Sequence, residues 1–366
     1  MTVVFGSMIG ASFFISYVVV ARVLALSHKK SWYDRIDDRK IHTGDVPRLG
    51  GVGFVSAFIC ACFAIIFVVP RLPGHSVPGA AIRLSFLFPL AAMALIFAAG
   101  VFDDFKPMAP RYKLLIQIIA AALVVVPGHT FHSVIFSNLG MLGELNWLRY
   151  PLTAVWIVGL TNAVNLIDGV DGLAGGVSTL AAVFFAVIFS IISGSDAMAL
   201  VCLCLGASLA GFLVFNMPFP RAKIFMGDGG AQFLGFVLAL LPLIKLDEEP
   251  IRFPLLYAAA LLAIPIFDTF ASIWRRIRDR RRIDDPDKLH IHHKLMNLGF
   301  NARGVDGALY ALQIMLGVLV CQSLRFKDIR SVIFLAAAYA TAAGFFIAIH
   351  FVNLHVVHKR EKARRP

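Results

Sequence analysis

LAGGVSTLAAVFFAVIFSIISGSDAMALVCLCLGASLAGFLVFN, residues 173–216, decides the fold class. It reads as two apolar stretches, 173–193 and 197–216, parted by a short polar turn. Each has about the 20 mostly apolar residues that a helix needs to cross a bilayer core. Outward from this pair, similar stretches recur at 3–26, 51–70, 83–102, 113–127, 150–166, 230–246, 254–274, 305–323 and 331–353. The fourth and eighth in chain order are short, and the fifth carries polar residues near its C-terminal end. The expectation is an all-α polytopic membrane protein with about eleven transmembrane helices.

Composition agrees. Of 366 residues, 59% are hydrophobic and 15% charged, and the mean hydropathy is +0.79. A water-soluble chain is roughly half apolar and a quarter charged. The pattern predicts a single transmembrane domain over 1–353 and a basic tail over 354–366. Cys60 and Cys62 share one span, Cys202 and Cys204 another, and Cys321 lies in a third, so they read as packing residues rather than a disulfide framework. The opening MTVVFGSMIG lacks a basic n-region, and its apolar run continues to about residue 26, so it reads as an anchor helix.

Charge sets the expected orientation. Lys29, Lys30, Arg35, Arg39, Lys40 and Arg48 follow the first span. Arg275, Arg276, Arg278, Arg280, Arg281, Arg282, Lys288, Lys294 and Arg303 follow the ninth. The tail adds Lys359, Arg360, Lys362, Arg364 and Arg365. With an odd number of spans these segments share one side, which the positive-inside rule makes cytoplasmic. The N-terminus is then outside and the C-terminus cytoplasmic. One outer cluster, Arg325, Lys327 and Arg330, runs against the trend and is outvoted. The net charge of +12 suits anionic lipid headgroups and anionic substrates on that face. Nucleic acid is an unsuited partner, because no soluble domain carries the charge.

Five loops on the same side hold the unusual residues: DRKIHTGDVPRLGG, GVFDDFKP, NLIDGVDGLAGG, PRAKIFMGDGG and LHIHHKL. Acids, histidines and glycines from five loops suggest one composite site at the cytoplasmic membrane surface. A charged group costs about 2.5–3.5 kcal/mol at the centre of a spanning helix, less near the interface, which asks for a compensating partner. Asp103 and Asp104 end an apolar helix, where paired carboxylates suit magnesium shared with substrate phosphates. A DD pair alone is also an ordinary solvated helix end. Asp168 and Asp171 each have a glycine beside them, which argues for a tight turn, a more specific signal. Asp228 lies in a glycine-rich turn whose backbone can face an anion while the acid holds a cation. Phe225 could stack on a base or simply anchor in the membrane. His290, His292 and His293 lie near a basic stretch and suit a phosphate better than zinc, for which no fourth ligand is near.

Taken together and in order, these motifs resemble those of the polyprenyl-phosphate N-acetylhexosamine-1-phosphate transferases, glycosyltransferase family 4, over about residues 35–300. HIHHKL and DRKIHTGDVPRLGG are similar to the WecA-type branch rather than to the MraY translocases. The resemblance implies a magnesium-dependent reaction, with manganese as a substitute. The partners implied are a UDP-N-acetylhexosamine, first of all UDP-GlcNAc, and undecaprenyl phosphate in a bacterial cytoplasmic (inner) membrane. A homodimer is an allowed assembly. It implies Asp103 and Asp104 as catalytic, and Asp228 with Asp104 as metal ligands. Asn165, Asp168, Asp171, Phe225, Asn216, His290, His292 and His293 are implied on the nucleotide and sugar. Lys113, Arg48 and His42 are implied on phosphate. One departure is Pro107, where many members carry a third acid or amide after the DD pair. The rival from another class is a transporter, which predicts charges at mid-membrane and an internal repeat. The charges here fall at helix ends, and no repeat is evident.

Overall fold

The computed structural model describes residues 2–33, 46–69, 86–131, 146–192, 194–244, 255–282, 287 and 289–363. Among these the regular elements are all helical. They are α1 (Thr2–Lys30), α2 (Gly51–Phe63, prolonged by a π-helical turn Ala64–Val68), α3 (Leu87–Phe105), α4 (Pro110–Val125) and α5 (Arg149–Ile167). Then come α6 (Leu173–Ile192), α7 (Asp196–Asn216), α8 (Gly227–Leu240), α9 (Leu255–Leu261), α10 (Ala263–Arg278) and α11 (Ile291–Asn297). The last two are α12 (Ala302–Arg325) and α13 (Ile329–Ala363). Eight of them are long and apolar enough to cross a membrane, or nine if α9 and α10 count as one bent span.

The predicted fourth and eighth spans are α4 and α8, only 16 and 14 residues long. Length matters less for α8, because it lies inside the bundle. Nearly all its residues are buried, and it packs against α2, α3, α5 and α6. A helix apolar on all sides suits such a place. By contrast, the apolar windows of α1 and α13 are only 17% buried and form the periphery.

The run 254–274 does not form the single straight span expected from its hydropathy. It breaks at Leu262, and α9 and α10 meet at 85°. Pro265 explains the break. Its ring would clash with the Leu261 carbonyl of a continuous helix, and it has no N–H to donate there. Past the break α10 buries Asp268, Ser272, Arg275 and Arg276, while Phe270, Trp274 and Ile277 face outward.

Close helix approach depends on glycine. A Cβ on Gly100 of α3 would overlap the Gly229 Cα of α8, and one on Gly51 would come within 2.5 Å of the Gly230 Cα. Such small residues let spanning helices touch backbone to backbone. Deeper in the bundle Phe233 takes edge-on contacts from Phe54, Phe58 and Phe97 at 6.0–6.3 Å. A buried amide layer joins α4, α5 and α8. Asn162 Nδ2 donates to Gln117 Oε1 at 2.6 Å, and Gln117 Nε2 donates to Gln232 Oε1 at 3.1 Å. Gln117 and Gln232 lie one helical turn beyond Lys113 and Asp228, so the layer fixes the rotation of the two helices that carry those charges.

Candidate active site

The chain crosses back and forth so that the C-terminal ends of α3, α5 and α7 and the N-terminal ends of α2, α4, α6 and α8 lie together. α3 delivers Asp103 and Asp104 on its last turn, and the chain turns over Lys106–Ala109 before Pro110 starts α4. Proline suits this first helical position, where its missing N–H is not needed. Asp103 accepts the Met108 N–H at 2.6 Å, so it also ties down the loop that contains Pro107.

Lys113, on the first turn of α4, sets its ammonium between two carboxylates. It pairs with Asp103 Oδ2 and, at 2.8 Å, with Asp228 Oδ2. The other oxygen of Asp228 lies 3.6 Å from the Arg48 guanidinium, which is 3.7 Å from Asp104. Asp104 is itself committed to α8, accepting the N–H groups of Asp228 at 2.8 Å and Gly229 at 3.1 Å. An acid at a helix N-terminus satisfies otherwise orphaned donors. Gly227 has φ +75°, and a Cβ there would overlap the Arg48 carbonyl and lie 2.6 Å from Asp104 Oδ2. Only glycine permits this approach. The segment before α2 locks the same turn, because Phe225 donates to the Pro47 carbonyl at 2.8 Å and accepts from Gly50 at 2.9 Å.

Asp168 caps the C-terminal end of α5. Burial, with the Asp228 and Asp104 carboxylates nearby, pushes its carboxyl up to about 7. Four carboxylates, Asp103, Asp104, Asp168 and Asp228, thus face two cations, Lys113 and Arg48. Among the described residues the acids outnumber the cations, and this all-oxygen donor set fits a small hard cation. Among the described residues no three acids or histidines form a ready metal cage. Magnesium does not require one, since it is usually held by one or two carboxylates plus substrate phosphates.

A second group of residues hangs on the α5–α6 turn. Gly172 donates to Asn216 Oδ1 at 2.9 Å, and Asn216 Nδ2 donates to the Ile224 carbonyl at 3.0 Å. Asp171 Oδ2 accepts the Ala222 N–H at 2.8 Å. Asn216 and Asp171 therefore fix the turn against the α7–α8 connection that carries Phe225. Asn165 lies on the last turn of α5, half-buried.

The histidines form a third group. The His290 ring pairs through Nδ1 with Asp268 Oδ2 at 2.7 Å, and Asp268 Oδ1 accepts the Ile291 N–H at 2.8 Å. Burial, then the neighbouring His293, holds His292 down to about 3, so its ring is neutral. A Cβ on Gly169 would lie 2.7 Å from His292 Nε2, so the histidine segment packs directly on the Asp168 turn. The His293 ring lies 4.3 Å from that of His292. Asp287 fixes the approach to this segment by accepting Arg275 Nη2 at 2.5 Å, Ser272 Oγ at 2.7 Å and the Leu289 N–H at 2.9 Å. Although burial opposes it, hydrogen bonds from Arg275 and Ser272 hold Asp287 down to about 2.

The structure thus gathers Arg48, Asp103, Asp104, Lys113, Asp168 and Asp228 in one cluster. It joins the histidines to that cluster through Gly169, and Asp171, Asn216 and Phe225 through the adjoining loops. His42 lies outside the described residues. Asp268, Asp287 and the amides Gln117, Asn162 and Gln232 were not singled out by the sequence reading. A lone acid inside the apolar run IPIFDTF was the available signal for Asp268.

Residues 86–245 match the family model described as glycosyl transferase family 4. The chain is 35% identical over 344 residues to a Bacillus subtilis protein named "Probable undecaprenyl-phosphate N-acetylglucosaminyl 1-phosphate transferase", covering 93% of this chain and 87% of that one. It is 30% identical over 324 residues to a Mycobacterium leprae decaprenyl-phosphate N-acetylglucosaminephosphotransferase, covering 81% and 78%. It is also 31% identical over 300 residues to a Yersinia pestis undecaprenyl-phosphate alpha-N-acetylglucosaminyl 1-phosphate transferase, covering 80% and 76%.

Proposed function

The chain belongs to glycosyl transferase family 4, and from that premise we propose that it transfers N-acetylhexosamine-1-phosphate from a UDP-sugar to undecaprenyl phosphate. GlcNAc-1-phosphate is the group favoured, because the relatives' names specify it. An oxygen of the lipid phosphate attacks the β-phosphorus of the UDP-sugar. The bond from that phosphorus to the bridging oxygen breaks, UMP leaves with the electron pair, and a lipid-diphosphate-sugar remains.

The observation that carries this reading is the cluster at the ends of α3, α4 and α8, where Lys113 joins Asp103 to Asp228 and Arg48 faces Asp228 and Asp104. Two polyanions meet in such a reaction, and phosphoryl transfer is chiefly positioning and electrostatic stabilisation. Lys113 and Arg48 supply fixed positive charge for the phosphates. Asp103 orients the lipid phosphate, which is already ionised at neutral pH. Asp228, with Asp104 beside it, would hold magnesium, which when bound neutralises phosphate charge and stabilises the leaving UMP. The turn from Asp168 to Gly172, together with Asn165, Asn216 and Phe225, receives the nucleotide. The neutral ring of His292, with His290 and His293, lies beside it for the sugar and its phosphate.

The orientation belongs to the same proposal. The cluster and the basic end of α13 lie on one side of the bundle, and the excess of Lys and Arg there favours the cytoplasm. UDP-sugars then reach the site from the cytoplasm of a bacterial cell.

The test uses purified protein, undecaprenyl phosphate and magnesium, with labelled UDP-GlcNAc or UDP-MurNAc-pentapeptide supplied separately. Label entering the lipid phase from UDP-GlcNAc, with equal release of UMP and inhibition by EDTA, is the expected result. Transfer from the pentapeptide donor alone would make the chain a translocase instead. Transfer from no UDP-sugar would overturn the proposal.

A further inference from the structure

α12 lies beyond the stretch that matches the family model, yet its first two turns touch the donor side of the site. Arg303, Asp306 and Tyr310 fall three and four residues apart and share one helix face. Asp306 is 2% exposed, and neither of its carboxylate oxygens accepts a hydrogen bond among the described residues. It faces Arg303 Nη1 at 3.6 Å. A buried carboxylate without hydrogen bonds is costly, and the guanidinium facing it offsets part of that cost. The other arm of the same guanidinium, Nη2, donates to the carbonyls of Met217 at 2.7 Å and Pro218 at 2.8 Å, just past the end of α7. Tyr310 donates its hydroxyl to the Gly172 carbonyl at 2.6 Å, and Asp306 lies against Gly172 as well.

These contacts converge on two loops. Gly172 closes the α5–α6 turn, and Met217 and Pro218 open the α7–α8 connection that leads to Phe225. We propose that Arg303, Asp306 and Tyr310 form a bracket that positions the nucleotide-binding turn for the UDP-sugar donor. Asp306 orients the guanidinium fork so that its free arm holds the end of α7. That end presents Asn216, whose side chain carries the Gly172 N–H, while Tyr310 holds the carbonyl of the same residue. Gly172 is thus gripped at both backbone polar groups. The three residues are positioning residues and need not touch the donor. The inference rests on the donor-side reading of the Asp168–Gly172 turn given above.

Tyr310→Phe keeps the ring and removes only the hydroxyl, and Asp306→Asn keeps the shape and removes the charge. Each is compared with wild type for UMP binding by calorimetry, for steady-state transfer with both substrates varied, and for thermal unfolding in detergent. The expected result for Tyr310→Phe is a rise of about tenfold in the UMP Kd and in the KM for UDP-GlcNAc, the size of one lost hydrogen bond, and for Asp306→Asn, which loses an ion pair instead, a smaller rise in the same two constants. The kcat, the KM for undecaprenyl phosphate and the unfolding temperature stay near wild type. An unchanged donor KM in both variants would overturn the bracket. So would a parallel loss in all parameters together with the unfolding temperature, which would mark a merely structural role. A wild-type protein that binds no UMP would instead sink the donor reading, and this inference with it.

Discussion

Asp103 and Asp228 converge on one ammonium, whereas Asp268 and Asp287 share no cation. In the first region four carboxyl groups face Lys113 and Arg48, so that among the described residues the acids outnumber the cations. In the second, around α10 and α11, Asp268 takes His290 and the Ile291 N–H, and Asp287 takes Arg275, Ser272 and the Leu289 N–H. A buried acid with full hydrogen bonding contributes to structure, and removing its partner leaves an uncompensated charge. Acids that outnumber the cations facing them in an apolar bundle point to a ligand that completes the cluster. Acids marked the first region in the sequence, whereas histidines and basic residues marked the second, whose acids Asp268 and Asp287 were not singled out. The ratio of acids to cations among the described residues separates them.

The largest effect should come from exchanging one acid in each region. Asp228→Asn is expected to lower kcat by about 10³-fold, at the upper end for removing one electrostatic group from a transition state. Its thermal unfolding should stay near wild type. Asp287→Asn should do the reverse, costing on the order of 3–5 kcal/mol of stability as the buried partner Arg275 loses its counter-charge. The protein that does fold should retain near wild-type kcat. Activity assays beside thermal unfolding of both variants decide the matter. If Asp287→Asn abolishes turnover without destabilising, or Asp228→Asn destabilises and keeps its turnover, the distinction collapses.

A smaller effect is expected from Lys113→Met, which sharpens the account of the first region. Losing the ammonium removes one phosphate contact, and kcat should drop about 10²-fold, within the range for a single positioned charge. The same change removes a competitor from between Asp103 and Asp228. The magnesium concentration for half-maximal rate should therefore fall, as read from metal titrations at fixed substrate. A rise in that concentration would show that Lys113 supports the cation rather than standing in its place.

Much of this was legible in sequence because a bilayer imposes a simple length rule. Runs such as 173–193 and 197–216 correspond closely to α6 and α7. The α9–α10 break was hidden because hydropathy stays high across it, although Pro265 marked it for anyone weighing the ring clash. The cluster residues Asp103, Asp104, Lys113 and Asp228 were legible as types, since charges at the ends of apolar runs stand out. Their pairing was not, because Lys113 and Asp228 lie 115 positions apart and meet only through α3–α8 and α4–α5 packing. Gln117, Asn162 and Gln232 escaped notice for a different reason. An amide in a long apolar helix perturbs hydropathy little, and its partner becomes visible only when three helices come together. Arg303, Asp306 and Tyr310 likewise look like an ordinary polar helix start until Gly172 is seen beside them.

The smallest predicted effect separates the two regions by their response to acid. His292 is buried beside the Asp168 turn, and its ring is held down to about 3 from an ordinary 6.5. The folded protein therefore keeps it neutral at pH 5.5, while the unfolded chain takes up a proton there. A depressed histidine contributes nothing to pH dependence above 6.5, and stability falls as the pH drops from 6.5 toward 3. One pH unit below the ordinary value, the loss from this single ring is about 1.4 kcal/mol. Wild type should thus lose more stability than His292→Gln between pH 7.5 and 5.5, by about that amount, in thermal unfolding scans. Because the ring does not titrate in the folded protein, the ratio of wild-type to variant kcat/KM should be the same at pH 6 and pH 8. An acid sensitivity of stability shared equally by the variant would mean that the ring takes its proton in the folded state. In that event the histidine segment would belong with the acid-rich cluster rather than with the scaffold around Asp268.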